Sequence, residues 1–340
     1  MSQAKLESKP KTAKTGVVLR RIFRNRESGV LVALIVLCIL MSFASPYFLT
    51  NVNIFNVLRT MSTIGIMAIG MTMVIVSGGI DLSIGSVAAV SAMVCARMIT
   101  HAGWNPWLAF LAGILVGLGL GTVNGLVITR LKVTPFIATL GMLSIARGLT
   151  FAVSWGLQGA VASNIPMRNP QVNFLGAGYI GPVPFQVIEM VILVVVFTLF
   201  LNRMVLGRQI YALGSNEQAA RLSGVRINNV RMFVFAITGG FAALAGIMNA
   251  GLLSTAATNL GAGVELDVIA AVVIGGASLS GGEGTIFGAV IGAAIMAVIR
   301  NAFVLVKIGG SPLPIFTQNI AIGVVIIAAV ALDQLRKRST

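Results

Sequence analysis

The sequence predicts an all-α fold: a polytopic transmembrane helix bundle of about ten spans, with glycine-broken helices and an internal parallel repeat. Three observations lead there. Of 340 residues, 57% are hydrophobic and only 10% charged, with a mean hydropathy of +0.96, whereas soluble domains carry about 25% charged residues. The apolar residues fall into runs near the ~20 residues that cross a bilayer core. The 24 Lys and Arg, set against 9 Asp and Glu, gather at the two chain ends and in one central loop, as cations do on the cytoplasmic side of a membrane.

That distribution also sorts the functional classes. Eight of the bases lie in residues 1–26, and Arg336, Lys337 and Arg338 end the chain. The excess of +15 therefore reads as membrane orientation and attraction to anionic lipid. No basic face is interleaved with aromatics, so no nucleic-acid partner is expected. Cys38 and Cys95 sit inside apolar runs as small packing residues, and His101 has no Cys or His cluster around it, so no metal is expected. Ser42-Phe43-Ala44 loosely resembles a cleavage site, but a basic tail of 26 residues is too long for a signal n-region and Pro46 follows closely; the first span reads as an uncleaved anchor.

In order, residues 1–28 form a basic cytoplasmic tail and 29–333 a single transmembrane domain, followed by a tail at 334–340. The first span covers 29–43 and ends at Pro46. Residues 49–60 read as a separate interfacial piece, and the second span runs from 61 to 77. The third occupies 80–99, and Trp104 and Trp107 supply an interfacial belt. Further spans cover 108–128 and 135–155. Residues 157–185, rich in Gly, Pro and Asn, make an exposed outer loop. Spans at 187–201, 232–251, 264–279, 285–304 and 314–331 complete a set of ten, which places both termini in the cytoplasm. Gly113, Gly117, Gly121 and Gly125 form one stripe, and Gly284, Gly288 and Gly292 another, where backbones approach closely.

The central loop, 202–230, is the longest polar run within the apolar region. Gly214 closes one short element, Ser215 or Asn216 caps the next, and Glu217 sits in its first turn against the positive helix end. Gln218 to Leu222 continue the helix and Gly224 stops it. Two roles are open to such a segment: a docking helix, or a solvated connector.

Two stretches resemble one another. Residues 76–83 read VSGGIDLS and residues 273–280 read VIGGASLS, identical at five of eight positions without gaps. Broken helices at corresponding places in two halves point to a transport pathway between them, because irregular backbone at membrane depth needs protein or a cavity to satisfy it. The candidate path residues are Gly78, Gly79, Asp81, Ser83, Asn124, Phe136, Glu265, Asp267, Gly275 and Gly276. Intramembrane charge costs about 2.5–3.5 kcal/mol on insertion scales, so Asp81, Glu189, Glu265 and Asp267 invite explanation. Asp81 can cap the following helix or touch a substrate. Glu265 and Asp267 can cap their helix, line the outer mouth or pair with Arg147, and Glu189 is placed at an interface. Leu279 to Glu283 (LSGGE) approaches the signature of ABC ATPases, but no phosphate loop exists in the chain, so the stretch reads as a turn.

Four segments taken together carry a resemblance: GMTMVIVSGGIDLSIGS (70–86), TPFIATLGM with ARG (134–148), GRQIYALGSNEQAARLSGV (207–225) and ELDVIAAVVIGGASLSGGEGT (265–285). In this order they resemble the membrane-spanning permease subunits of bacterial ABC importers for monosaccharides such as ribose, xylose, arabinose, allose and galactose. The resemblance implies a non-enzymatic inner-membrane subunit that binds no cofactor itself, with ATP-Mg on a separate cytosolic ABC ATPase. It implies a periplasmic or extracellular sugar-binding protein and a second permease, copy or paralogue, as further partners. It assigns ATPase coupling to Asn216, Glu217, Ala219, Ala220, Arg221, Leu222, Ser223 and Gly224, with the two small alanines allowing close docking. The rival reading is an ion-coupled secondary transporter that relays protons or sodium through Asp81, Glu265 or Asp267.

Overall fold

The structure is a computed structural model that describes residues 26–155, 163–308, 311–312 and 314–338. The basic tail up to residue 25 and residues 156–162 of the expected outer loop lie outside the described residues. Helices are α1 (Arg26–Ala44), α2 (Asn51–Val76), α3 (Ile84–Thr100), α4 (Pro106–Arg130), α5 (Pro135–Ser154), α6 (Pro170–Ala177), α7 (Phe185–Arg203), α8 (Val205–Ser215), α9 (Glu217–Leu222), α10 (Ile227–Leu253), α11 (Val264–Ile274), α12 (Ile286–Leu305) and α13 (Ile315–Arg338). Short antiparallel pairs join β1 (Ile165–Pro166) to β4 (Thr255–Ala256), β2 (Tyr179–Ile180) to β3 (Val183–Pro184), and β5 (Lys307–Ile308) to β6 (Ser311–Pro312).

Among the described residues, seven helices are long and apolar enough to cross a membrane: α1, α2, α4, α5, α7, α10 and α12. Burial separates the centre of the bundle from its rim. In their most apolar windows 78% of α2 and 67% of α10 is buried, against 6% of α1. An element apolar on every side belongs in a core, and one left exposed in the isolated chain faces lipid or another subunit. α10 packs on α4, α3, α2 and α6, while α2 also meets α12, α11 and α7.

Glycine sets how closely α4 and α10 approach. A Cβ added at Gly117 would lie 2.4 Å from Gly239 O, and one at Gly121 would lie 2.3 Å from Phe235 O. The stripe from Gly113 to Gly125 is therefore a packing surface, filled by α10 along most of its length. Gly288 and Gly292 serve α12 similarly, against Gly275 O and Ala271 O of the α11 segment. Gly284 is not part of that stripe, since α12 starts only at Ile286.

Several elements differ from expectation. The interfacial piece and second span are one helix, α2, of 26 residues, about 39 Å long. Neither Gly nor Pro interrupts it before Gly65, and Thr50 caps it by accepting from Asn53 N at 3.4 Å. The described part of the expected exposed loop is structured: Asn169 caps α6 through Gln171 N and Val172 N. Gly176 then rests α6 on α10, where an added Cβ would stand 2.0 Å from Met248 O. The span expected over 264–279 stops at Ile274, leaving α11 with 11 residues, about 16 Å against a hydrocarbon core of about 30 Å. At the other extreme, α13 continues through the expected C-terminal tail to Arg338.

Candidate functional site

Both glycine breaks end a helix in the same way. At the first, Gly78 is left-handed (φ 81°), Gly78 N donates to Ile75 O, and Gly79 N donates to Val74 O. At the second, Gly276 is left-handed (φ 97°), Gly276 N donates to Val273 O, and Ala277 N donates to Val272 O. This pair of bonds around a left-handed residue satisfies the last carbonyls of a helix and turns the chain away. The ungapped sequence alignment pairs Gly78 with Gly275, but the left-handed turns fall on Gly78 and Gly276. The matching geometry is offset by one residue from the matching letters. Gly275 instead provides a close approach, with an added Cβ 2.3 Å from Gly288 O.

Beyond the turns the segments diverge. After Gly78 the chain needs only residues 79–83 to start α3. Asp81 accepts from Ser83 N at 2.8 Å and from Ser83 Oγ at 2.6 Å, and Asn124 Nδ2 on α4 donates to Ser83 Oγ at 3.0 Å. All three side chains are buried. Thr139 Oγ1 on α5 donates to Ile80 O at 3.1 Å. Asp81, Ser83 and Asn124, picked out separately in the sequence, thus form one network that ties the first break to α4. Phe136, the second residue of α5, has its ring exposed.

The second segment is longer, passing through left-handed Gly281 and Gly282 before Thr285 caps α12 by accepting from Gly288 N. LSGGE is a turn, as expected from its glycines. Its backbone reaches across to the first break: Gly282 N donates to Val76 O at 2.8 Å. α8 sits on that junction. A Cβ on Gly214 would lie 1.7 Å from Val76 O and 2.6 Å from Gly282 N, and Tyr211 Oη donates to Gly284 O at 2.7 Å. Gly214 does not close its element, as the local sequence suggests. It lies inside α8 as the contact point where that helix touches both breaks.

α9 follows directly. Asn216, in extended conformation, accepts from Ala219 N at 2.9 Å, and Gly224 (φ 82°) turns the chain out with Val225 N donating to Ala220 O. Leu222 is 90% exposed, an unusual position for a leucine on a polar helix, whereas Ala220 is 4% exposed and packs into the core. Ala220 therefore packs α9 against its own bundle, while Ala219, Arg221, Leu222 and Ser223 are outward. Glu217 ties α9 to α10, pairing with Arg231 at 2.6 Å and with Arg221 at 3.1 Å. Burial pushes the Glu217 carboxyl up, but the hydrogen bonds and charges of Arg231 and Arg221 outweigh it and hold the group below the usual carboxylate range.

The acids of α11 lie elsewhere. Asp267 is fully buried and pairs with Arg300 of α12, not with Arg147. Arg147 donates to Thr258 O at 3.2 Å and Leu260 O at 2.9 Å, with Glu265 near enough for its charge to be felt. Glu189 on α7 has a buried Oε2 with no hydrogen-bond partner among the described residues. Arg300 and Asn301, which hold this end together, carried no sequence signal beyond an isolated charge in an apolar run.

Comparison with known proteins places this geometry. Residues 53–330 match the family described as branched-chain amino acid transport system / permease component. The chain is 38% identical over 315 residues to the ribose import permease protein of Bacillus subtilis (strain 168), covering 92% of this chain and 93% of that protein. It is 39% identical to the ribose import permease protein of Escherichia coli (strain K12), over 92% and 94% of the two chains. Identity to the D-allose transport system permease protein of the same organism is 36%, over 92% and 93%. The match takes in both breaks, α8 and α9, so the chain belongs to this family of transport-system permease components.

Proposed function

We propose that the chain is the membrane-spanning subunit of an ATP-driven ABC importer that carries a monosaccharide across the cytoplasmic membrane. The supporting observation is end-to-end similarity to ribose, allose and arabinose permeases, at 33–39% identity over about nine-tenths of the chain. ATP-Mg binds a separate cytosolic ATPase, a sugar-binding protein delivers the ligand outside, and a second permease completes the pathway. In this reading α3, α11 and α13 join the seven long helices to give ten passages, with the breaks as corresponding points of two parallel halves. Both termini and α9 face the cytoplasm.

The mechanism follows from what α8 touches. Nucleotide-driven closure of the ATPase pushes on the outward face of α9 around Leu222 and Arg221. The partly exposed Glu217–Arg231 pair holds α9 beside α10 at rest, and α8 carries the displacement to Gly282 and the second break, shifting against Val76 O of the first. Asp81 is engaged by Ser83 and Asp267 by Arg300, which argues against a carboxylate relay for protons or sodium. In vesicles holding permease, ATPase and binding protein, sugar uptake is expected to require ATP and to be abolished by deletion of 215–224 or by Glu217→Arg, with membrane insertion retained. Uptake by the permease alone, driven by an ion gradient, would contradict the assignment.

A further inference from the structure

The end of the bundle opposite α8 holds a cavity of about 680 Å³ between the first turns of α2, the last turns of α12 and the start of α13. Its size falls in the range of small-molecule sites. The groups facing it are mostly neutral and capable of both donating and accepting: Asn56 and Thr60 from α2, Asn301 from α12 and Gln318 from α13. Arg300 is the only charged side chain among the described lining residues, and buried Asp267 compensates it. The Asn56 and Gln318 amides make no hydrogen bond to other described residues. Val304 and Leu305 provide an apolar wall.

The floor is already organised. Asn53 Nδ2 donates to Asn301 Oδ1 at 3.0 Å, and Asn301 Nδ2 donates back to Asn53 Oδ1 at 2.7 Å. Asn53 Nδ2 also donates to Phe48 O at 2.9 Å, so Asn53 has no amide hydrogen left and acts as a positioning residue. One N–H of Asn301 remains for a ligand. An anion or a zwitterion would need an uncompensated charge, which this wall does not provide. Amides without a partner among the described residues, a hydroxyl and an apolar side instead suit a molecule bearing several hydroxyls on a C–H framework.

We infer that this cavity is a binding site for a neutral polyhydroxylated solute, where a monosaccharide rests after release at the outer mouth and before passage along the breaks. The inference rests on the sugar-import reading and names a site for it, remote from Gly78, Asp81 and Gly276.

The test uses permease, ATPase and binding protein reconstituted in vesicles, with D-ribose, D-allose and L-arabinose as probes. Asn56→Leu with Gln318→Leu removes two amides, each worth about 1 kcal/mol, so sugar moved per ATP hydrolysed is expected to fall about thirtyfold. Asn56 is exposed, so its replacement opens no core. Gln318→Asn, which keeps the amide, is expected to recover most of the single-site loss. If the unaltered assembly imports sugar and the double variant imports as much per ATP, the cavity is off the path and the inference falls while the sugar-import reading stands. The same holds if Gln318→Asn loses as much as Gln318→Leu, since the role would then be structural. An unaltered assembly that moves none of the three sugars overturns the sugar-import reading itself.

Discussion

The two glycine breaks begin with the same turn and then take opposite courses. After Gly78 the chain folds back at once into a buried network, where Asp81, Ser83 and Asn124 satisfy one another and Thr139 takes the Ile80 carbonyl. After Gly276 it runs on through left-handed Gly281 and Gly282, with Ser280, Glu283 and Thr285 exposed, and is held through backbone contacts, Gly282 N donating to Val76 O and α8 lying against both breaks. A short loop tied by buried side chains to α4 and α5 is a fixed point. A longer glycine-rich loop held against a neighbouring helix follows that helix. Similar letters thus specify an anchor in one half of the molecule and a follower in the other.

The largest expected effect comes from closing the space in which they meet. Gly214→Ala places a methyl against Val76 O and Gly282 N, both backbone atoms that no rotamer change can move aside. A loss of at least about 1–3 kcal/mol is expected from such overpacking, together with loss of ATP-driven uptake. Unaltered thermal unfolding and uptake in Gly214→Ala would show that α8 does not sit on the junction.

Asp81→Ala probes the anchor alone. It leaves the buried Ser83 N–H without an acceptor, at a cost of about 1–3 kcal/mol, and should lower the unfolding midpoint of the detergent-solubilised chain. An unchanged midpoint in Asp81→Ala would show that the first break does not depend on this network.

The smallest effect concerns the tie between α9 and α10. Glu217 is partly exposed, so Glu217→Ala should cost only about 0.2–1 kcal/mol. Because its folded carboxyl lies below the ordinary 4.5, the pair's contribution is complete above that value and fades as pH falls through the lowered one. A stability difference between parent and variant that grows on acidification would contradict the Arg231 pairing.

Much of this was legible in the chain itself. The capped α9, the glycine stripe of α4 and the helix-ending glycines all follow from local chemistry, since a cap or a left-handed turn is decided within a few residues. Asp81, Ser83 and Asn124 stood out individually as polar residues in apolar runs. What the letters could not supply was long-range partnership. Asp267 has Arg300 and not Arg147, Ala220 points inward, and Gly214 is a contact point instead of a helix end. Each depends on which backbone lies opposite, and a glycine needed for close approach looks the same in sequence as one needed for a turn.

The central claim is that α8 moves with the second break while the first stays with the bundle. Spin labels at Leu222 and Ser280 report the follower; labels at Ile137, two residues before Thr139 on α5, and Ser280 report it against the anchor. All three side chains are exposed. Between the nucleotide-free and ATP-trapped importer, the Leu222–Ser280 distance should hold while Ile137–Ser280 shifts by roughly 2–5 Å, the scale of helix displacements in switching proteins. A fixed Ile137–Ser280 distance with a changing Leu222–Ser280 distance would contradict it.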